Sequence, residues 1–149
     1  MSLNEEVDLL RQIPLFSKID PSKLKLLAFT SERLTFGAGQ DLFQQGDVGD
    51  TAYIIIAGEA EVLVNSPTGP LSVAKLGKND LVGEIAILID VPRTATVRAA
   101  SDLTTLAISK EQFFRMITEY PQMAIEIMRE LAERLEKTTG QLRAAMTGG

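Results

Sequence analysis

The sequence predicts a mainly β member of the α+β class: a jelly-roll-like barrel between N-terminal helices and a long C-terminal helix, with one short helix inserted among the strands. Three observations predict it. Helical periodicity is confined to the two ends of the chain. Short apolar or alternating runs fill the middle. Gly, Pro, Asn and Asp interrupt those runs at spacings that suit a sandwich or barrel and leave no room for repeated crossover helices.

From Leu3 to Thr30, Val7, Leu10 and Ile13 recur at helical spacing, and "DPSKLKLLAF" adds a second start, with Asp20 as N-cap and Pro21 in the first turn. From Glu32 to Ser109 the runs "RLTF", "DLFQ", "AYIIIA", "AEVLVN", "LSVAKL", "ATVRAA" and "LTTLAI" read as strands. Between them, "GAGQ", "QGDVGD", "GE", "SPTGP", "GKND" and "SD" read as turns. Gly37, Gly39, Gly46, Gly49 and Gly58 lie where tight corners would need positive φ. "LVGEIAILID" interrupts the strands, and the residues after Gly83 suit one or two helical turns closed by Asp90 and Pro92.

From Lys110 onward "KEQFFRMITEY" is one helix, stopped near Pro121, and "PQMAIEIMRELAERLEKTTGQLRAAM" a longer one with Pro121 near its first turn. Ala124, Met128, Leu131, Leu135, Leu142 and Ala145 step by four and three, and Thr138 fills the vacant slot of this heptad seam. About three heptads can help hold a homodimer if the barrels also pack. The same stripe could instead pack only on its own barrel, and the pattern leaves both open.

Length and composition bound the function. A chain of 149 residues, 45% hydrophobic and 23% charged, reads as one ordinary globular domain with a real core. No apolar run approaches the roughly 20 residues of a membrane helix, and the start shows no basic region followed by an apolar stretch. The expectation is a cytoplasmic protein that does not engage a membrane. With no Cys and no His, disulfides, thiolate nucleophiles, the commonest catalytic base and the commonest metal ligand are all absent. There is no G-x-S-x-G, no phosphate-binding P-loop and no acidic cluster at metal spacing, so an enzyme is not expected, and neither a cofactor nor a metal. A net charge of −5 with scattered Lys and Arg offers no basic footprint for nucleic acid.

The chemistry concentrates in "GEIAILIDVPRTATV", Gly83 to Val97. A helix as short as the one after Gly83 is marginal alone. Its first N–H groups lack intrahelical partners and carry partial positive charge, so an anion there satisfies both. Gly83 would let a ligand approach the backbone closely. Arg93 is the natural counter-charge, because a guanidinium fork matches phosphate oxygens. Glu84 would repel phosphate but accepts strongly from hydroxyls, and Thr94 adds a hydroxyl of its own. Together they suit a sugar phosphate. The alternative is an internal Glu84–Arg93 ion pair. With apolar flanks on both sides, such a pair would incur a desolvation cost of several kcal/mol, which a pocket open to a polar ligand largely avoids.

The same residues closely resemble the phosphate-binding cassette of cyclic nucleotide-binding domains, as found in the bacterial catabolite activator, cyclic-nucleotide-dependent kinase regulatory subunits and cyclic-nucleotide-gated channels. Upstream, "FQQGDVGDTAYIIIAGEAEVLV" resembles the family's barrel signature, with Gly46, Asp47, Gly49, Tyr53, Ile54 and Gly58 in matching places. The resemblance runs from about Leu15 to Met146. It implies a β-roll (a double-stranded β-helix) with the ligand inside it. As one cyclic nucleotide-binding domain, the chain would comprise N-terminal helices over 1–30, the roll over 31–109 with the cassette at 82–97, and C-terminal helices over 110–146.

Carried over by position, Glu84 accepts from the ribose 2′-OH and Arg93 pairs with the cyclic phosphate, while Gly83 and the N–H groups of Ile85 and Ala86 complete the cradle. Val62 and Val73 correspond to apolar residues facing the base or ribose; they read equally well as core valines. The long C-terminal helix, with Leu135, Thr138 and Thr139, is implied to lie across the pocket as a lid. Thr94 stands where a hydroxyl can contact a syn guanine, although adenine-binding members carry one too. Thr138 and Thr139 align with a Thr-Ser pair that contacts the adenine amino group in the catabolite activator. The alternative is that "KTTGQ" is simply a fraying helix end, since Thr and Gly are poor helix formers.

The resemblance therefore implies a sensor of cAMP, in preference to cGMP, with no catalysis of its own, signalling by movement of the C-terminal helix. The rival is the ligand-sensing part of a DNA-binding transcriptional regulator. The expected helix-turn-helix domain would be absent from this chain, which itself would not bind DNA. A degenerate fold that lost its ligand is the third reading, and intact Gly83, Glu84 and Arg93 argue against it.

Overall fold

Consecutive strands of this chain repeatedly change sheets, and that crossing determines which loops meet. A computed structural model describes residues 3–147; Met1, Ser2, Gly148 and Gly149 lie outside the described residues. Helix α1 (Leu3–Arg11) buries Val7 and Leu10, a 3-10 turn follows at Pro14–Phe16, and α2 spans Pro21–Thr30. Asp20 caps α2 as the sequence predicts: its carboxylate accepts from the Ser22 N–H at 3.0 Å, and Pro21 occupies the first turn, where a missing N–H costs nothing.

The strands are β1 (Glu32–Phe36), β2 (Asp41–Phe43), β3 (Thr51–Ala57), β4 (Ala60–Ser66), β5 (Gly69–Leu76), β6 (Leu81–Val82), β7 (Thr96–Ala99) and β8 (Leu103–Ser109). Helix α3 (Glu84–Leu88) sits between β6 and β7. The seven apolar runs of the sequence become seven of these strands. The eighth, β6, lies inside the run that reads as part of the insert, because two residues are too few to show a period. One sheet has the order β1-β8-β3-β6 and the other β2-β7-β4-β5, all pairs antiparallel. Two four-stranded sheets in this order make a jelly-roll β-roll.

Tyr53, Ile55, Val82, Val97, Ala99, Leu103 and Ala107 form the core between the sheets. In the first sheet, β3 and β8 also bury the opposite face, through Ala52, Ile54, Leu106 and Ile108. That explains the unbroken apolar run of β3, since a strand covered on both faces shows no alternation. The one neutral polar residue buried there among the described residues, Thr105, donates from Oγ1 to the Leu34 carbonyl at 3.1 Å.

The second sheet carries a charge ladder instead. Register places Asp41 opposite Arg98, Arg98 opposite Glu61 and Glu61 opposite Lys75, so signs alternate across all four strands. Arg98 Nε donates to Asp41 Oδ1 at 2.7 Å. Opposite charges on facing strands are favourable, and like charges there are not.

Of the five glycines marked for positive φ, Gly39, Gly46 and Gly58 adopt it; Gly37 and Gly49 do not. Gly49 is needed for a different reason, a close approach described below.

The described residues divide between Phe113 and Phe114 into two compact units. The second takes most of α4 (Lys110–Glu119) and all of α5 (Pro121–Thr147). Pro121 opens α5 as expected, and Met116, Met123 and Ile127 are buried. The heptad positions behave differently: Met128, Leu135 and Leu142 are exposed, the last two at 68% and 61%. The segment "KTTGQ" is helical, within an α5 that runs on to Thr147. Arg129–Glu126 and Arg134–Glu130 ion pairs lie at helical spacing along α5. No helix among the described residues is long and apolar enough to cross a membrane.

The hydrogen bond from Arg98 holds the Asp41 carboxyl below the usual carboxylate range. A lowered folded-state pKa contributes stability above the unfolded pKa and loses it as pH falls through the folded one. In urea unfolding from about pH 6 to about pH 3, Asp41→Asn should be less stable than wild type at the upper end, with the gap closing on acidification. A gap independent of pH would show that the carboxylate charge is not what the ladder uses.

Candidate functional site

The topology brings two loops together. Because β2 pairs with β7 and β3 with β6, the β2–β3 connection and the β6–α3–β7 connection cross between the sheets at the same end. They are stitched by backbone bonds: the Gly46 N–H donates to the Arg93 carbonyl and the Arg93 N–H to the Asp47 carbonyl, both at 2.8 Å. The loop holds its own shape through Asp47, whose carboxylate accepts from the Gln44 N–H at 2.9 Å. Arg93 is thus fixed by its main chain before its side chain makes any contact.

That side chain is 5% exposed. Nη1 donates to the Gly83 carbonyl at 2.8 Å and Nη2 to the Thr51 carbonyl at 2.6 Å. The guanidinium carbon lies 3.9 Å from the centre of the Phe43 ring, a cation–π contact. Nε is buried and has no hydrogen-bond partner among the described residues. Burial lowers the Arg93 pKa from its ordinary value, opposed by the electrostatic influence of Tyr53, then Asp50, Asp47 and Glu84. A guanidinium carries five N–H donors, so the two carbonyls leave capacity for an anion.

Gly83 lies between β6 and α3 with φ of 88°, a left-handed conformation that side chains other than Gly adopt at a cost. A Cβ there would also stand 2.6 Å from Arg93 Nη1. Gly49 answers to proximity alone: a Cβ on it would come 2.5 Å from Arg93 Nε and 2.6 Å from Cζ. Glu84 begins α3 and is 2% exposed. Glu84 and Arg93 are therefore both buried, whereas Asp90, the other charged residue of the cassette, is exposed. Folding the guanidinium back onto two carbonyls and an aromatic face offsets part of its desolvation.

Of the remaining sequence-derived candidates, Ile85 and Ala86 continue α3, Ile85 exposed and Ala86 buried, and Thr94 is exposed beside Arg93. Val62 on β4 pairs with Val97 and Ala74 and packs against the inter-sheet core, partly buried. Val73, at the irregularity in the β4–β5 register, is 49% exposed and so is not an ordinary core valine. Leu135, Thr138 and Thr139 belong to the second unit, exposed on α5.

Sequence reasoning missed two partners of Arg93. Thr51 contributes only a carbonyl, which no residue type encodes. Phe43 had a signal, an aromatic in a chain with 6 Phe, 2 Tyr and no Trp, directly before the glycine-rich loop. Among the described residues no group of three or more Asp and Glu side chains could hold a metal ion.

Comparison with known proteins agrees with this architecture. The family model described as "Cyclic nucleotide-binding domain" matches residues 33–120. The cAMP-dependent protein kinase regulatory subunit of Blastocladiella emersonii is 33% identical over 133 residues, covering 89% of this chain and 32% of the relative. A CRP-like cAMP-activated global transcriptional regulator of Mycobacterium tuberculosis is 26% identical over 136 residues, covering 91% of this chain and 61% of the relative. Among solved structures, the catabolite activator protein of Thermus thermophilus superposes with a TM-score of 0.78 at 28% identity, over 89% of this chain and 63% of that one. The chain thus spans about a third of the kinase subunit and under two thirds of the regulators. With more than half of its length matched by the family model and the β-roll in place, the chain belongs to the cyclic nucleotide-binding domain family.

Proposed function

We propose that this chain is a cyclic nucleotide sensor that binds cAMP in preference to cGMP, performs no catalysis, and signals through ligand-dependent movement of α5. The observation that carries the reading is Arg93: a guanidinium 5% exposed, with a buried Nε lacking an acceptor, beside the left-handed Gly83 and the buried Glu84. A cyclic phosphate supplies the counter-charge and acceptors that two carbonyls do not. Glu84 then takes the ribose 2′-OH, the N–H groups of Ile85 and Ala86 close the cradle, and Val62 and Val73 face the base or ribose.

The preference for cAMP draws on Thr138 and Thr139 and on the relatives named for cAMP in two different settings. Movement of α5 requires that the ligand bind one position of the helix more tightly than another; equal affinity would shift nothing. A second reading, the ligand-sensing part of a DNA-binding regulator, is favoured by the similarity to two bacterial regulators. In both readings the setting is cytoplasmic. The exposed apolar positions Met128, Leu135 and Leu142 favour a homodimer through α5 over a seam used only within one chain.

Isothermal titration with cAMP, cGMP and 5′-AMP tests the core of this. One cyclic nucleotide should bind tightly, cAMP above cGMP, and 5′-AMP poorly, because its extra charge and open phosphate fit the short cradle badly. Arg93→Ala should weaken binding by about 2–4 kcal/mol, roughly 30- to 1,000-fold. Binding of 5′-AMP equal to that of the cyclic form, or an unaffected alanine variant, would rule out the phosphate assignment.

Sedimentation equilibrium tests the dimer. Wild type should associate reversibly, and Leu135→Lys combined with Leu142→Lys should be monomeric at every concentration. A wild type that is monomeric with and without ligand would remove the dimer from the scheme.

A further inference from the structure

Asp41 and Phe43 are two residues apart on β2, and in a regular strand they would share a face. They do not. Asp41 pairs with Arg98, on the outer face that carries the charge ladder, whereas Phe43 pairs with Val97, which is buried between the sheets. The register shift between Asp41 and Phe43 is the cause: one extra residue turns Phe43 inward. Bulges of this kind re-aim a side chain, and this one aims a ring at a guanidinium.

We propose that Phe43 is the positioning residue of the anion site, fixing the plane of the Arg93 guanidinium so that its unused donors face a phosphate. This rests on the cyclic nucleotide reading and deepens it. Four contacts define the clamp. The Phe43 ring covers one side of the guanidinium at 3.9 Å. Gly49 crowds the Nε side so closely that a Cβ would stand 2.5 Å from Nε. The Gly83 and Thr51 carbonyls take one N–H from each terminal nitrogen. The ring is itself braced: Phe43 lies 6.0 Å from Tyr53, which meets Phe36 edge-on at 6.3 Å.

The carbonyls alone would leave the guanidinium free to tilt about the line joining its terminal nitrogens. A face-on ring opposes that tilt, and an aliphatic side chain of similar size lacks the quadrupole that attracts the cation. Phe43 thereby acts on affinity without touching the ligand.

The test compares Phe43→Leu, Phe43→Met and Phe43→Tyr with wild type in two measurements. The first needs no ligand: the Arg93 Nε–Hε resonance in 15N–1H spectra, assigned by its loss in Arg93→Lys. It should be ring-current shifted and slow to exchange in wild type and Phe43→Tyr, and lose both properties in Phe43→Leu and Phe43→Met. The second is cAMP affinity by titration, expected to fall about 3- to 30-fold in the aliphatic variants and to stay within about twofold of wild type in Phe43→Tyr. An unchanged Hε signal in the folded aliphatic variants would overturn the clamp. A changed signal with unchanged affinity would overturn the positioning role, as would a Tyr variant as weak as Leu. Wild type binding neither cAMP nor cGMP, with the Hε signal still dependent on the ring, would support the clamp while overturning the nucleotide reading on its own.

Discussion

A guanidinium withdrawn from water organises this end of the β-roll. Removing such an ion from solvent costs several kcal/mol after relaxation, and the partners gathered at Arg93 each offset part of that. Two backbone carbonyls accept from its terminal nitrogens, an aromatic ring covers its face, and nearby carboxylates favour its charged form. The glycine pattern follows from the same need. Gly49 and Gly83 are small because Arg93 lies where their side chains would be. Gly46 has positive φ because the loop must turn to offer its N–H to the Arg93 carbonyl. What looks in the sequence like turn chemistry is in part the imprint of one cation.

The jelly-roll order makes that convergence possible. A strand pair linking β2 to β7 and another linking β3 to β6 place two connections at one end of the roll, although about forty residues separate them in sequence. Short β6 has no evident role as a ladder. Its value is positional, since the Val82–Tyr53 pair delivers Gly83 to the Thr51 carbonyl on β3 and allows α3 to start immediately. A five-residue helix is marginal by propagation alone. Here its first turn is fastened through the Gly83 carbonyl to the arginine ten residues later.

Most of the fold was legible from periodicity and punctuation, because strands this short and turns this rich in Gly and Asp leave few alternatives. The limits had physical causes. β6 is too short to have a period. The bulge at β2 cannot be read from a three-residue strand, so nothing in the sequence indicated that Phe43 and Asp41 face opposite ways. Gly37 and Gly49 showed that glycine identity does not reveal whether freedom in φ or lack of a side chain is required. At the site, Gly83, Glu84 and Arg93 were visible as misfits in an apolar run. Thr51 was not, because it acts through a backbone carbonyl and any residue would supply one.

The arrangement of Arg93 also constrains how binding here could be transmitted. Its donors to Gly83 and Thr51 join α3 to the start of β3 through a single side chain. An anion that draws on the same guanidinium must either add to these bonds or compete with them. Addition, through Nε and the unused hydrogens, would stiffen the link between α3 and β3. Competition would release the Gly83 carbonyl and with it the first turn of α3. Either changes the energy of the short helix, whose Ile85 and C-cap Ile89 are exposed, and among the described residues that helix is the only one between strands of the roll. A sensor needs a bistable element that its ligand biases. In this roll, α3 is five residues long and tied through the Gly83 carbonyl to a buried arginine, which makes it a candidate for that element.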